Sequence, residues 1–336
     1  MLRASIGGRT ATGRSSVSED DPVTVVEDVL QHWQVIPRQV SRPDLGTMNE
    51  IYLVDTEDGR LVLRGHRRPD RAAVEFEHAA MDTARAAQVP APKPLCSATG
   101  DVVVAHERRW WSLLTWMAGD QPARGTHTSE QANAMGAMLG RVHIALESLP
   151  SPLPPSRPAE PTAETIRRAG ELLSHIEGLT DAGPDEAAAH RWLTSQRDWL
   201  RRHADDPEPN RGAQQTIHGD YHDANVVFEA DAVSGVIDWD KADSGSPLEE
   251  LLRAAHLSFS LEPQRCRAFV AGYRTVRTVE VDELDRAARR YAFHRDRSIW
   301  LLDELYRAGN ERLRPLLNHR PFVPFEVSWE SVRHQL

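Results

Sequence analysis

Ile217-His218-Gly219-Asp220-Tyr221-His222-Asp223-Ala224-Asn225, followed by Val236-Ile237-Asp238-Trp239-Asp240, decides how this chain is read. The first stretch has the form H-x-D-x-x-x-x-N. The second is an apolar strand ending in an acid. Val226-Val227-Phe228 and Gly235-Val236-Ile237 have the composition of two paired strands, joined by the turn-rich Glu229–Ser234. Such a hairpin brings Asn225 and Asp238 together. Both are hard oxygen donors of the kind that hold Mg²⁺, and Asp220 is placed to accept a proton from a hydroxyl. An Asp after an apolar strand is by itself often only a turn residue. A zinc cluster of His218, Asp220, His222 and Asp223 is the competing reading, but no His pair at helical i, i+4 spacing lies nearby.

This segment resembles the aminoglycoside phosphotransferase family, the small-molecule kinases related in fold to protein kinases, which include antibiotic, choline and type II homoserine kinases. The resemblance runs from about residue 40 to about residue 260 and is closest in the catalytic stretch. It implies an α+β, two-lobed, protein-kinase-like fold with a small antiparallel β N-lobe carrying one helix and a larger, mainly helical C-lobe. Residues 22–117 would form the first lobe and 118–336 the second. It further implies that Asp220 is the catalytic base, that Asn225 and Asp238 bind Mg²⁺, and that ATP or GTP is the donor.

The same resemblance distributes roles outward. Ile51–Val54 and Leu61–Arg64 flank Asp58-Gly59, a hairpin signal. The turn Leu45–Asn49 before them, with Thr47 and Asn49, would lie over the phosphates, although it is no full G-x-G-x-x-G loop. Arg64 stands where kinases place the strand cation that grips phosphate; protein kinases use Lys there, and Arg binds bidentately instead. Helix-patterned Arg71–Ala87 carries Glu75 and Glu77. Glu77, thirteen residues before Pro90, is the expected partner of Arg64. A strand over Val102–Val104 and another over Trp110–Met117 would complete the sheet, with Thr115 to Met117 as the hinge that meets the base. Tyr221, His222, Asp223, Asp240, Asp243 and Asp296 are the residues expected to face the acceptor.

In the second half, Thr128 and Gln131 form a capping-box pattern that starts a helix. Six prolines in residues 150–161 mark a loop. Helices are expected near 162–178, 185–203, 247–260, 263–276 and 281–307.

Composition narrows the partners. The chain has 336 residues, 40% of them hydrophobic, enough for one large domain or two lobes with real cores. Residues 1–21, rich in Arg, Ser, Gly and Thr, read as a disordered tail and not as a secretory signal. Two cysteines, Cys96 and Cys266, outside any CxxC pattern, suit a reducing cytoplasm. A net charge of −10 without a basic stripe argues against nucleic acid and slightly favours a cationic acceptor. No apolar run of about 18 residues exists, so no membrane span is expected. A non-catalytic nucleotide-binding scaffold would have no need of Asp220, Asn225 and Asp238 together.

Overall fold

The structure, a computed structural model, describes residues 22–43, 49–67, 70–150 and 160–336. The expected tail of residues 1–21, Thr47 and most of the proline-rich loop lie outside the described residues.

Helix α1 (Pro22–Leu30) precedes strands β1 (Gln39–Ser41), β2 (Glu50–Thr56) and β3 (Gly59–His66); then come α2 (Arg71–Ala86), β4 (Val104–His106) and β5 (Arg109–Thr115). The strands form one antiparallel sheet in the order β1-β2-β3-β5-β4. Side chains alternate between the faces of a strand. Leu63 therefore points to one face, where it packs with Tyr52, Val54, Leu113 and Trp111 under Val26, Val29 and Leu30 of α1. Arg64 points to the other face, toward α2. The β2–β3 hairpin turns on Glu57 and Asp58, one residue earlier than Asp58-Gly59 suggested. Thr56 pairs with Gly59, which opens the returning strand at φ +126°.

β4 begins at Val104, later than the run of valines implied. A local turn, closed by Ser97 N to Asp101 O and Asp101 N to Ser97 Oγ, occupies the chain up to that point. β1 carries no signal in its own sequence and forms only because β2 offers it an edge.

The C-lobe comprises α3 (Ser129–Leu146), α4 (Thr162–Glu177), α5 (Pro184–Arg202), β6 (Gln215–Ile217), β7 (Val226–Glu229), β8 (Ala232–Val236), β9 (Asp243–Gly245), α6 (Pro247–Phe259), α7 (Pro263–Arg274), α8 (Val281–Arg297), α9 (Trp300–Tyr306) and α10 (Phe325–Arg333). The Thr128–Gln131 capping box forms at the start of α3. The β7–β8 hairpin is tighter than its sequence suggested, turning on Ala230 and Asp231 with Ala230 at φ 55°. The expected single helix over 281–307 breaks into α8 and α9. Gln196 Nε2 donates to the carbonyls of Asp296 and Ser298, both at 2.9 Å, and Ser298 adopts an extended backbone. A side chain 100 residues away thus replaces the lost helical donors.

Helices α3 and α7 cross with almost no space between their backbones. A Cβ on Gly272 would collide with the Asn133 carbonyl, and one on Gly136 with the Phe269 carbonyl. Backbone cannot give way as a side-chain end can. Gly272→Val is expected to lower stability by at least ~2 kcal/mol. A urea midpoint equal to that of the wild type would show that the helices can separate at little cost.

Candidate active site

The loop from Ile217 to Asn225 is held by buried groups on every side. Gly219 has φ +80°, and a Cβ there would meet the Lys241 carbonyl. Its N–H donates to Glu250 Oε1 of α6, while Glu250 Oε2 lies 3.0 Å from His143 Nε2 of α3. Burial alone would raise the Glu250 carboxyl, but His143 outweighs it and holds the group below the usual carboxylate range. His218 is fully buried. Its Nδ1 accepts from Asp220 N at 3.2 Å, and Nε2 reaches Ile237 O at 3.0 Å. Those partners require the neutral Nε2–H tautomer. His218 is therefore a brace between the two halves of the motif.

Asn225 and Asp238 meet across the β7–β8 hairpin. Val226 pairs with Val236, and Ile237 N donates to Asn225 O at 2.9 Å. Asn225 Nδ2 donates to Asp220 O at 2.8 Å. That fixes the amide orientation and leaves Oδ1 as the acceptor. Asp238 sits at φ 62°, a left-handed conformation uncommon outside glycine, with its side chain 42% exposed at the cleft.

Arg64 ties the two lobes together. Its guanidinium lies 2.8 Å from Glu77 of α2, 2.9 Å from Asp238 and 3.4 Å from Asp240. Burial would lower its pKa, but the three carboxylates outweigh that and raise it. Glu75 faces outward and pairs with Arg71. Asn49 Nδ2 donates to Asp240 at 3.1 Å and Asn49 Oδ1 accepts from Arg67 N, joining the strand edge to the same cluster. Among the described residues, the Arg64 guanidinium is shared by three carboxylates. The cluster's cleft-facing donors, Asn225 and Asp238, are hard oxygens too few to enclose an ion. Mg²⁺ accepts that arrangement, since it is commonly held by one or two carboxylates together with substrate phosphates. The residues fit a metal–nucleotide pair. Among the described residues, no group of three His, Cys, Asp or Glu side chains could hold a metal alone, which the zinc-cluster reading would require.

These groups open onto one cleft of about 1320 Å³ between the lobes. Ile51, Leu53, Val62, Leu114, Thr115, Trp116 and Met117 form its apolar wall on the sheet side. Thr115 Oγ1 accepts from Lys93 N at 2.8 Å. Asp220, His222, Asn225, Asp238 and Asp240 line its floor.

Four expected acceptor-facing residues lie elsewhere or do another job. Tyr221 is fully buried and donates to Met135 O at 2.9 Å. Asp223 faces inward, with its carboxylate 3.1 Å from Arg124 and its N–H bonded to Ser258 Oγ. Asp243 accepts from Ser244 N inside the β6–β9 ladder. Asp296, 1% exposed, accepts from Phe325 N at the start of α10, so it closes a helix end where it was expected to face the cleft. Its neighbour Arg295 reaches the cleft.

Arg253 of α6 gave no sign in the sequence. Its guanidinium contacts the Asp220 carboxylate directly. Burial would raise the Asp220 carboxyl, but Arg253, by its charge and its hydrogen bond, outweighs that and holds it below the usual range. Only its spacing of three residues from Glu250, one helical turn along α6, hints at a shared face.

His78, behind Arg64 on α2, is buried, and neither ring nitrogen finds a hydrogen-bond partner among the described residues. Burial, then Arg64, pushes its pKa down to about 4. The unfolded chain takes up this proton near pH 6.5, whereas the fold refuses it until about pH 4. Stability therefore falls as pH drops through that window, by about 2 kcal/mol at pH 5. His78→Phe should flatten the thermal-melting profile between pH 7 and 5. An unchanged slope would place the titration elsewhere.

Among the described residues, no helix is long and apolar enough to cross a membrane. A family model described as "APH: Phosphotransferase enzyme family" matches residues 39–289. A homoserine kinase of Methylobacillus flagellatus is 25% identical over 248 residues, covering 71% of this chain and 70% of its own. Among solved structures, a spectinomycin phosphotransferase in complex with ADP and its antibiotic superposes with TM-score 0.62 at 14% identity, covering 94% of this chain and 98% of its own. A microcompartment-associated aminopropanol kinase gives 0.61 at 18%, covering 94% and 99%. These structures share the kinase-like fold, with its antiparallel N-lobe sheet and helical C-lobe. With three quarters of its length matched, the chain belongs to the phosphotransferase enzyme family, APH.

Proposed function

We propose that this protein transfers the γ-phosphoryl group of ATP or GTP to a hydroxyl of a small molecule, with Mg²⁺ as the metal. The observation that supports this most is the convergence of Asp220, Asn225, Asp238 and Arg64 on one cleft, with Glu77 paired to Arg64 behind it. Phosphoryl transfer asks the protein mainly for positioning and charge neutralisation.

Asn225 and Asp238 would hold the metal, and Arg64, fixed by Glu77, would hold phosphate oxygens. The metal–nucleotide pair, when bound, supplies the phosphoryl group and neutralises its charge. Thr115 and Met117 would border the base, and Thr47 and Asn49 the phosphates. Asp220 orients the acceptor hydroxyl and takes its proton as the new P–O bond forms. The neutral His218 tautomer fixes the Asp220 backbone, and Glu250 fixes Gly219 beside it. His222 and Asp240 border the acceptor end.

Two acceptor classes have support. The antibiotic class, such as an aminoglycoside, is favoured by the solved spectinomycin phosphotransferase of similar fold. The metabolite class is favoured by the curated homoserine kinase relative, which spans most of the chain. Incubation with Mg²⁺ and γ-labelled ATP or GTP against antibiotics, sugars, amino alcohols and homoserine should yield one labelled class of product. Nucleotide binding without transfer to any compound would favour a scaffold.

A further inference from the structure

The wall of the cleft beyond Asp220 carries basic groups that the proposed transfer step does not use. Arg124, Arg253, Arg295 and His256 all line it. Each arginine holds one acid, and two of those acids are buried behind it. Arg124 binds Asp223, 4% exposed, and Arg295 binds Asp296, 1% exposed. Neither acid lines the cleft, so the guanidiniums stand between the carboxylates and the cavity. Arg253 differs, since its acid is Asp220 in the cleft itself. Its second terminal nitrogen, Nη1, is buried with no hydrogen-bond partner among the described residues.

His256 reports the resulting field. Its Nδ1 lies 3.0 Å from the Tyr291 hydroxyl. Burial, then Arg295, Arg124 and Arg253, push its pKa down to about 3, and no carboxylate among the described residues offsets them. Arg290 is also in this wall but is saturated by Glu249, Glu208 and the Pro209 carbonyl. Two further acids among the described residues line this end, Glu249 and Glu250. Glu249 is paired with Arg290, and burial pushes its carboxyl up to about 7, while Glu250 is held by Gly219 N–H and His143. Beyond the arginines the wall turns apolar, through Trp192, Leu257, Ile299, Trp300, Leu316 and Phe322. Arg295 lies over the rings of Trp192 and Phe322 at 5.8 and 5.6 Å, which holds its guanidinium in place.

We infer that the acceptor is a hydroxylated carboxylate with an apolar portion, its anionic group docking on Arg253, Arg295 and Arg124 and its hydroxyl reaching Asp220. This rests on the phosphotransferase reading and specifies its acceptor. Arginine suits the task because its planar fork meets a carboxylate with two parallel hydrogen bonds. A polycation would set its charges against three guanidiniums, whatever the chain's overall charge of −10.

The test offers the full-length protein Mg²⁺ and ATP with matched hydroxyalkyl compounds that differ only in their far group: carboxylate, amide or amine. The expected result is a kcat/KM for the carboxylate members at least about tenfold above the amides. Arg295→Gln should erase that preference through the acceptor KM, with the KM for ATP unchanged, and Arg295→Lys should restore part of it. A merely structural role for Arg295 would move both KM values or the melting temperature alike. Better turnover of amines or amides overturns the anionic assignment while leaving the kinase intact. Nucleotide binding with no transfer to any carboxylate also overturns it. Absence of nucleotide binding defeats the phosphotransferase reading itself, and this inference with it.

Discussion

Asp220→Ala is expected to lower kcat by about two orders of magnitude or more, the usual contribution of a positioned general base. The structure adds a complication to that number. Asp220 is held by Arg253, and the pair keeps its carboxyl ionised and acceptor-ready while competing for its oxygen. Removing Asp220 releases Arg253 but leaves Arg64, Asn225 and Asp238 in place, so the nucleotide KM should stay within a few-fold while kcat falls. Single-turnover phosphoryl transfer, measured with saturating ATP and Mg²⁺, separates the chemical step from release. A variant that transfers at near the wild-type rate would remove Asp220 from the role of base. The melting temperature should hardly change, because the Asp220 backbone is held independently by His218 and Asn225.

Arg64→Ala should act on both stability and function. Arg64 is 5% exposed and Glu77 4%, and the substitution removes the guanidinium from among three carboxylates. Deleting one partner of a buried ion pair costs about 3–5 kcal/mol, mostly through the charge left behind. Urea unfolding should show that loss. ATP affinity should fall in parallel, beyond what partial unfolding explains, when assayed well below the unfolding midpoint. Arg64→Lys should recover part of each, because a single ammonium cannot span Glu77, Asp238 and Asp240 as a planar fork does. Unchanged ATP affinity in a folded Arg64→Ala variant would confine the residue to a structural role.

The two experiments probe different kinds of residue. Asp220 sits on a loop braced by groups from β8, α3 and α6, so its loss is felt in chemistry. Arg64 bridges the sheet, α2 and the β8–β9 loop, so its loss is felt first in the closure of the cleft.

What was legible in the sequence was local. Residues 217–240 include the loop, the hairpin and its terminal acid, and their spacing alone brings Asp220, Asn225 and Asp238 together. A two-stranded hairpin has few registers that keep Val226, Phe228 and Val236 buried, so the pattern nearly dictates the geometry. The Arg64–Glu77 pair was also within reach, through the family resemblance and the thirteen-residue spacing from Glu77 to Pro90. Tertiary structure decided the rest. Whether Asp223 and Asp296 faced the cleft or the protein interior depended on Ser258 and Phe325, partners 35 and 29 residues away. The break between α8 and α9 depended on Gln196. Arg124, Arg253 and Arg295 come from a loop and two helices with no common period. Only the packing of α6 against α8 gathers their charges on one wall, because a local pattern can specify a strand, a turn or a helix face but not which distant charges will share a cavity.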